Sequence, residues 1–211
     1  MISARNFWDK AAPRYAKMPI RDTESYEYTL ARTRSYLSQA DIALEVGCGT
    51  GGTARKLAPH LTHITGTDIA PAMIRIARER CGEEGVANAA FEAADIAGSP
   101  VGPFDAVLAH NVLHLVPETE AAIGALHDRV RPGGLFISKT PCLGHNGISL
   151  KIRLMLKVLP LLQMVGKAPA VRFLSVDELE TMITQAGFEI VESGNYPANP
   201  PSRYIVARRI A

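Results

Sequence analysis

The run from Ile42 to Gly52, Ile-Ala-Leu-Glu-Val-Gly-Cys-Gly-Thr-Gly-Gly, constrains this chain more than any other stretch. Its mostly apolar first five residues predict a short buried strand, and the glycines after them end the pattern. Thr53 to Ala58 resumes with helix-forming residues before Pro59. Strand, glycine turn and helix start together cradle a nucleotide-like ligand. Glycine lets the backbone turn tightly and lets a ligand approach where a Cβ would clash. Free N–H groups at a helix start add donors and the positive end of a dipole. Gly47, Gly49 and Gly52 fit the dinucleotide spacing G-x-G-x-x-G, which purely structural glycine turns also meet. Glu45, two residues before the first glycine, separates the readings. A carboxylate there repels a pyrophosphate and attracts an ammonium, which favours a zwitterionic or cationic ligand.

With that acid in place, Glu45-Val46-Gly47-Cys48-Gly49-Thr50-Gly51 resembles motif I of the class I S-adenosylmethionine-dependent methyltransferases, Glu-x-Gly-x-Gly-x-Gly. Later segments continue in that family's order. A second strand is expected from His63 to Thr67, ending at Asp68, 21 residues after Gly47. An acid at this place accepts two ribose hydroxyls in dinucleotide and adenosyl folds. Its plainer use is to cap the helix that Pro71 opens. The resemblance adds Ile69 and Met73 to the residues lining the cofactor, with Gly47, Cys48, Gly49 and Gly51. Ala89–Ala94 reads as the third strand. The resemblance then makes Asp95 the acceptor of the adenine amino group and Ile96 the residue packed on the ring. An NAD enzyme requires no acid there; a loop aspartate without a role is the alternative.

Phe104–Ala109 predicts a fourth strand. Phe-Asp-x-Val with a histidine seven residues on is similar to the family's motif IV, which places His110 with its carbonyl toward the methionine end of the cofactor. The same motif makes His114 the family's usual histidine, with simple packing as the alternative. Glu118–Val130 is an amphipathic helix, and Arg131-Pro132-Gly133-Gly134 stops it and turns the chain into a fifth strand, Leu135–Lys139. Val-Arg-Pro-Gly-Gly-Leu-Phe resembles the Leu-Arg-Pro-Gly-Gly signature before strand five, a structural element.

Residues 1–39 read as a helical cap, with Tyr26, Leu30, Thr33 and Leu37 giving a helix over about Glu24–Ser38 an apolar side. Phe7–Tyr15 either packs on the sheet edge or sets Trp8, Tyr15 or Tyr26 over the ligand, since an aromatic face attracts a sulfonium or ammonium. Trp-Asp-x-x-Ala-x-x-Tyr is similar to the N-terminal lid of the family's type 11, small-molecule members, which favours Tyr15. Residues 40–140 form the cofactor-binding core, 141–174 an insertion, and 175–211 a helix and strand pair. Ser175–Glu178 is a capping box. Phe188–Glu192 and Arg203–Arg208 are strands whose connection is too short for a crossover helix, hence antiparallel. The expected fold is α/β: a Rossmann-like, doubly wound, seven-stranded, mostly parallel sheet with an antiparallel last strand and helices on both faces.

The insertion holds Ile148–Val165, apolar in nearly every direction of a helical wheel apart from Lys151, Arg153 and Lys157. It suits a lid over an apolar substrate, a homodimer interface, or a peripheral membrane contact with basic residues at the headgroups. Elsewhere the chain is ordinary: 211 residues suit one domain, and a net charge of +2 gives no reason for a nucleic-acid partner. Three cysteines without metal or redox spacing point to a reducing compartment, with Cys48 a small loop residue. With neither a signal segment nor a membrane span, a cytoplasmic location is expected. No metal-like His, Asp and Glu spacing occurs, so no metal is expected.

The resemblance implies transfer of a methyl group by in-line displacement to a small apolar or aromatic acceptor, leaving S-adenosylhomocysteine. His114 would serve as base where the acceptor must lose a proton, its ordinary pKa of about 6.5 suiting neutral pH. The alternatives are a non-catalytic, regulatory protein that binds S-adenosylmethionine, and an NAD-dependent oxidoreductase, which Glu45 and Asp95 oppose.

Overall fold

The computed structural model describes residues 3–144, 158, 159, 161, 163 and 167–210. Most of the apolar stretch 148–165 therefore lies outside the described residues. Two helices, α1 (Ala4–Tyr15) and α2 (Thr23–Ser35), precede β1 (Ile42–Val46). The chain continues through α3 (Gly52–Leu57), β2 (His63–Asp68), α4 (Pro71–Glu83), β3 (Ala89–Ala93) and β4 (Phe104–His110). It ends with α5 (Thr119–Arg129), β5 (Val130–Pro141), α6 (Val176–Gln185), β6 (Phe188–Asn195) and β7 (Ser202–Arg209).

The seven strands lie in the order β3-β2-β1-β4-β5-β7-β6. Neighbours from β3 to β5 pair in parallel, and β7 runs antiparallel to both β5 and β6. The sheet is the expected one. After β3 at one edge, the chain returns to lay β4 beside β1, so strand order reverses between β1 and β4. The crevice beyond the carboxyl ends at such a reversal is where open α/β sheets bind ligands.

Alternation along the strands builds two cores. Leu44, Val46, Val107 and Phe136 face Ile123 and Leu126 of α5 and Leu179 and Ile183 of α6. Ala43, Leu108, Ile137 and Tyr204 face the other way, toward Leu57 of α3 and Ile74 and Ala77 of α4. α1 does not sit on the sheet edge as expected. Ala12 packs against Ala70 and Met73, with Trp8 and Ile76 beside them, so α1 rides on α4. Asp9 secures the seam, accepting the Ala72 N–H at 2.8 Å.

Arg131–Gly134 is not a turn ahead of β5 but a bulge inside it. Val130 pairs with Phe104 and Leu135 with Ala106, leaving the four residues between them out of register. The Arg131 Nε donates to Asp105 Oδ1 at 2.6 Å, while Asp105 Oδ2 accepts the Ile42 N–H at 2.8 Å. The signature thus ties β5, β4 and β1 together away from the crevice. The capping box forms as expected: Glu178 N–H donates to Ser175 Oγ at 3.1 Å, and Ser175 N–H to Glu178 Oε2 at 2.7 Å. Among the described residues no helix is long and apolar enough to cross a membrane.

Candidate cofactor and acceptor site

β1 delivers the glycine turn to the crevice, and two glycines there have no substitute. Gly47 has φ +64°, and a Cβ on it would lie 2.5 Å from Val112 Cγ2 in the loop after β4. Gly51, at φ +72° and just before α3, would put a Cβ 2.7 Å from the Phe91 ring. Gly52 differs: its φ is ordinary and nothing lies within 4 Å of its Cβ position. The G-x-G-x-x-G reading therefore named one glycine too many, since only Gly47 and Gly49 of its three are left-handed, with Gly51 the third such turn residue. Cys48 sits in the turn as a buried free thiol, its backbone N–H donating to Thr67 O at 2.9 Å.

Asp68 braces this turn rather than capping α4. Its Oδ2 accepts the Gly49 N–H at 3.0 Å and its Oδ1 the Ala70 N–H at 2.9 Å, while the α4 cap position, Ala70, has no side-chain cap. Each carboxylate oxygen keeps lone-pair capacity for a ligand hydroxyl. Above the turn lies Tyr15, whose Cε1 would be 3.7 Å from a Cβ on Gly49, with Trp8 edge-on to its ring at 6.1 Å. Tyr15 is the N-terminal aromatic that the structure sets over the glycines.

Glu45 is the most unusual group. It is 3% exposed, and its Oε2 is buried without a hydrogen-bond partner among the described residues. Burial pushes its carboxyl up to about 8; the nearby Ala54 N–H opposes the shift and Asp68 adds to it. An uncompensated carboxyl is costly in a protein interior, and a cationic ligand group would relieve that cost. The residues therefore fit a zwitterion. On the far side of the crevice Asp95 is exposed and accepts the Gly98 N–H at 2.7 Å. Ile96 is half-buried and packs with Val112 against the core. Ile69 is 37% exposed at the crevice end of β2, whereas Met73, expected to line the cofactor, is 2% exposed and committed to the α1–α4 seam.

A family profile described as "Methyltransferase domain" matches residues 44–136. A ubiquinone biosynthesis O-methyltransferase of Chromobacterium violaceum is 30% identical over 76% of this chain and 69% of its own length. The chain belongs to the class I S-adenosylmethionine-dependent methyltransferases. S-adenosylmethionine is the cosubstrate of this family. A ubiquinone biosynthesis O-methyltransferase of Xanthomonas axonopodis pv. citri is 33% identical over 64% of the chain, which spans 56% of that protein. The chain thus covers just over half the length of the first curated relatives it matches. In fold, it superposes on magnesium protoporphyrin IX methyltransferase of Synechocystis with bound S-adenosylhomocysteine, TM-score 0.74, at 17% identity and 97% coverage of both chains.

Beside the cofactor turn lies a small pocket that sequence reasoning missed. Tyr26, Thr29 and Leu30 of α2, Thr53 of α3, His110 at the end of β4, Asn111 just after it, and Lys139 of β5 line it. Asn111 holds φ +58°, a left-handed value uncommon outside glycine, and its N–H donates to Lys139 O at 2.7 Å. Strand parity was the available signal, since Lys139 lies two residues after core-facing Ile137.

His110 and His114 are half-buried, with one ring nitrogen of each shielded from solvent. His110 Nε2 and His114 Nδ1 have no hydrogen-bond partner among the described residues. Burial lowers each to about 4, with the Lys139 charge adding to the effect on His110. The expectation that His114 keeps an ordinary value suited to neutral pH therefore fails: a desolvated imidazole resists protonation. The His114 carbonyl accepts the Arg172 N–H at 2.7 Å, anchoring the last residues of the insertion. His114 should keep a neutral-ring NMR spectrum from pH 8 down to about pH 5; a titration near the ordinary value of about 6.5 would contradict its burial.

Proposed function

We propose that this chain methylates an oxygen of a small, apolar or aromatic acceptor, using S-adenosylmethionine. The single observation that carries the cofactor half is Glu45, a buried carboxyl at the end of β1 beside the glycine turn whose Oε2 has no partner among the described residues. Oxygen as the acceptor atom is supported by the O-methyltransferase names of the relatives. An apolar or aromatic acceptor is supported by Tyr26 and Leu30 in the pocket wall.

In this reading Glu45 holds the ammonium of the cofactor's amino acid, Asp68 accepts its ribose hydroxyls, and Tyr15 covers the turn. Asp95 and Ile96 receive the adenine. When bound, the cofactor would supply an electrophilic methyl for in-line transfer to the acceptor oxygen, with S-adenosylhomocysteine as the product. The protein's work is orientation and exclusion of water, since the methyl is already activated. His114, neutral and half-buried, acts through packing and placement rather than as a strong base.

The test is calorimetric binding of S-adenosylhomocysteine together with transfer of label from methyl-labelled S-adenosylmethionine to a panel of phenols. Asp68→Ala should weaken S-adenosylhomocysteine at least about tenfold, because it removes the ribose acceptor and frees Gly49. NAD binding in place of the adenosyl ligands, or no binding at all, would sink the reading.

A further inference from the structure

Three strands set a row of side chains beneath α2. The register places His110 opposite Lys139, and Lys139 opposite Tyr204, across β4, β5 and β7. Alternation turns them to the face that carries Leu108, Ile137 and Val206. Tyr204 is already engaged, its hydroxyl 3.2 Å from Thr33 Oγ1 of α2. Lys139 is not fully engaged. Its Nζ donates to Ser25 O and to Thr29 Oγ1, each at 3.2 Å. An ammonium has three protons to donate, and no third acceptor is found among the described residues. No carboxylate among them forms an ion pair with it; the acting acid is Asp22, which caps α2 by accepting the Ser25 N–H at 3.0 Å. A half-buried cation without an ion-paired anion among the described residues thus lines a pocket with Thr53, Asn111 and His110, whose Nε2 has no partner among those residues.

We propose that Lys139 receives the reacting oxygen of the acceptor as an oxyanion, so that this enzyme selects hydroxyls that ionise readily, such as phenols. The inference rests on the oxygen-transfer reading above. In the step assigned to Lys139, the acceptor O–H bond breaks, its electron pair stays on oxygen, and the proton passes to water. The ammonium's third N–H then donates to the phenolate. A neutral pocket would disfavour that anion; a desolvated cation favours it. Such activation explains how transfer proceeds although His110 and His114 resist taking a proton.

The cofactor's own carboxylate is a poorer partner. If Glu45 on β1 holds the ammonium, the carboxylate on the same carbon lies within a few ångströms of it. β5 is two strand spacings from β1, about 10 Å. Burial lowers the Lys139 pKa and Asp22 opposes this, whereas the acid acting on Glu45 is Asp68. Asp22 at the α2 N-cap, Tyr26 of α2, His110 of β4 and Tyr204 of β7 are the ionisable groups around Lys139 among the described residues.

The experiment follows 4-nitrocatechol, whose phenolate absorbs visible light, bound to the full chain saturated with S-adenosylhomocysteine. Its apparent pKa should fall by about one unit or more on binding. Lys139→Met should abolish that shift while leaving S-adenosylhomocysteine affinity within about twofold. Lys139→Gln, which keeps a donor for Ser25 and Thr29 while losing the charge, should do the same; Lys139→Arg should retain part of it. A probe that fails to bind, that ionises as in free solution, or that keeps its shift in both neutral variants overturns the assignment. So does a tenfold loss of S-adenosylhomocysteine affinity in Lys139→Met, which would give the ammonium to the cofactor's carboxylate. Wild-type protein that binds no S-adenosylhomocysteine would instead fell the methyltransferase reading itself.

Discussion

Replacing Glu45 by glutamine is expected to weaken S-adenosylhomocysteine about a hundredfold while stabilising the ligand-free protein at and above neutral pH. The affinity loss is that of a buried, charge-assisted contact whose partner is left unpaired. The gain in stability follows from the raised carboxyl, at about 8 in the folded chain against an ordinary 4.5. Below about pH 4.5 both folded and unfolded chains hold the proton. Between the two values the folded chain keeps it and the unfolded chain does not, so folding stability falls as pH rises. Across the whole window the loss from this one group is of the order of 4–5 kcal/mol. His110 and His114, lowered to about 4, act in the opposite direction between that value and their ordinary 6.5. Both proteins contain them, so they cancel in the comparison. The Tm of Glu45→Gln minus that of the wild type should therefore widen from pH 5 to pH 8. The same proton reports binding: at pH 7 a ligand ammonium ionises Glu45 and releases close to one proton per site. That release appears as a buffer-dependent calorimetric enthalpy absent in Glu45→Gln. Unchanged affinity with no buffer dependence would remove Glu45 from the cofactor site.

The parts legible in the sequence are those where local pattern and tertiary role coincide. Ile42–Val46 is apolar enough to be a central strand, and the glycines after it can only turn, so β1 and its loop follow from the residues alone. Short connections fixed the antiparallel last pair, and Ser175 with Glu178 announced α6. Elsewhere the sequence pattern is the same for two arrangements. Arg131-Pro132-Gly133-Gly134 punctuates equally well as a turn or as a bulge, and the Arg131–Asp105 contact that decides it is long-range. An apolar residue such as Met73 reads alike whether it lines a ligand or a helix seam, and only the docking of α1 shows that it lines the seam. Histidine spacing located His114 but not its surroundings, and burial rather than motif sets its protonation. Lys139 was missed because its significance depends on α2, a hundred residues away in the chain, reaching over the sheet to meet it.

Gly47→Ala is the backbone change with the largest expected cost. Two penalties combine at this one atom. A Cβ at φ +64° is strained by about 1 kcal/mol, and 2.5 Å from Val112 Cγ2 it also forces apart two packed loops, for about 1–3 kcal/mol more. Val112 cannot swing aside cheaply, because its own Cβ lies 2.6 Å from the same point. The loop that would move carries Asn111, His110 and His114, so the acceptor pocket shifts along with the cofactor turn. Thermal unfolding should fall by roughly 5–15 °C, with S-adenosylhomocysteine binding reduced at least tenfold. Gly47→Ala combined with Val112→Gly, which removes the Val112 Cβ along with its methyls, separates the two penalties. It should recover the crowding but not the left-handed strain, giving a favourable coupling of about 1–2 kcal/mol between the sites. Gly52→Ala supplies the contrast inside the same motif. Its Cβ meets nothing within 4 Å and it begins α3 with ordinary backbone angles, so stability should hold or rise slightly. If Gly47→Ala and Gly52→Ala melt alike, the glycine turn is not pressed against the β4 loop, and the coupling between cofactor and acceptor sites through Val112 is lost with it.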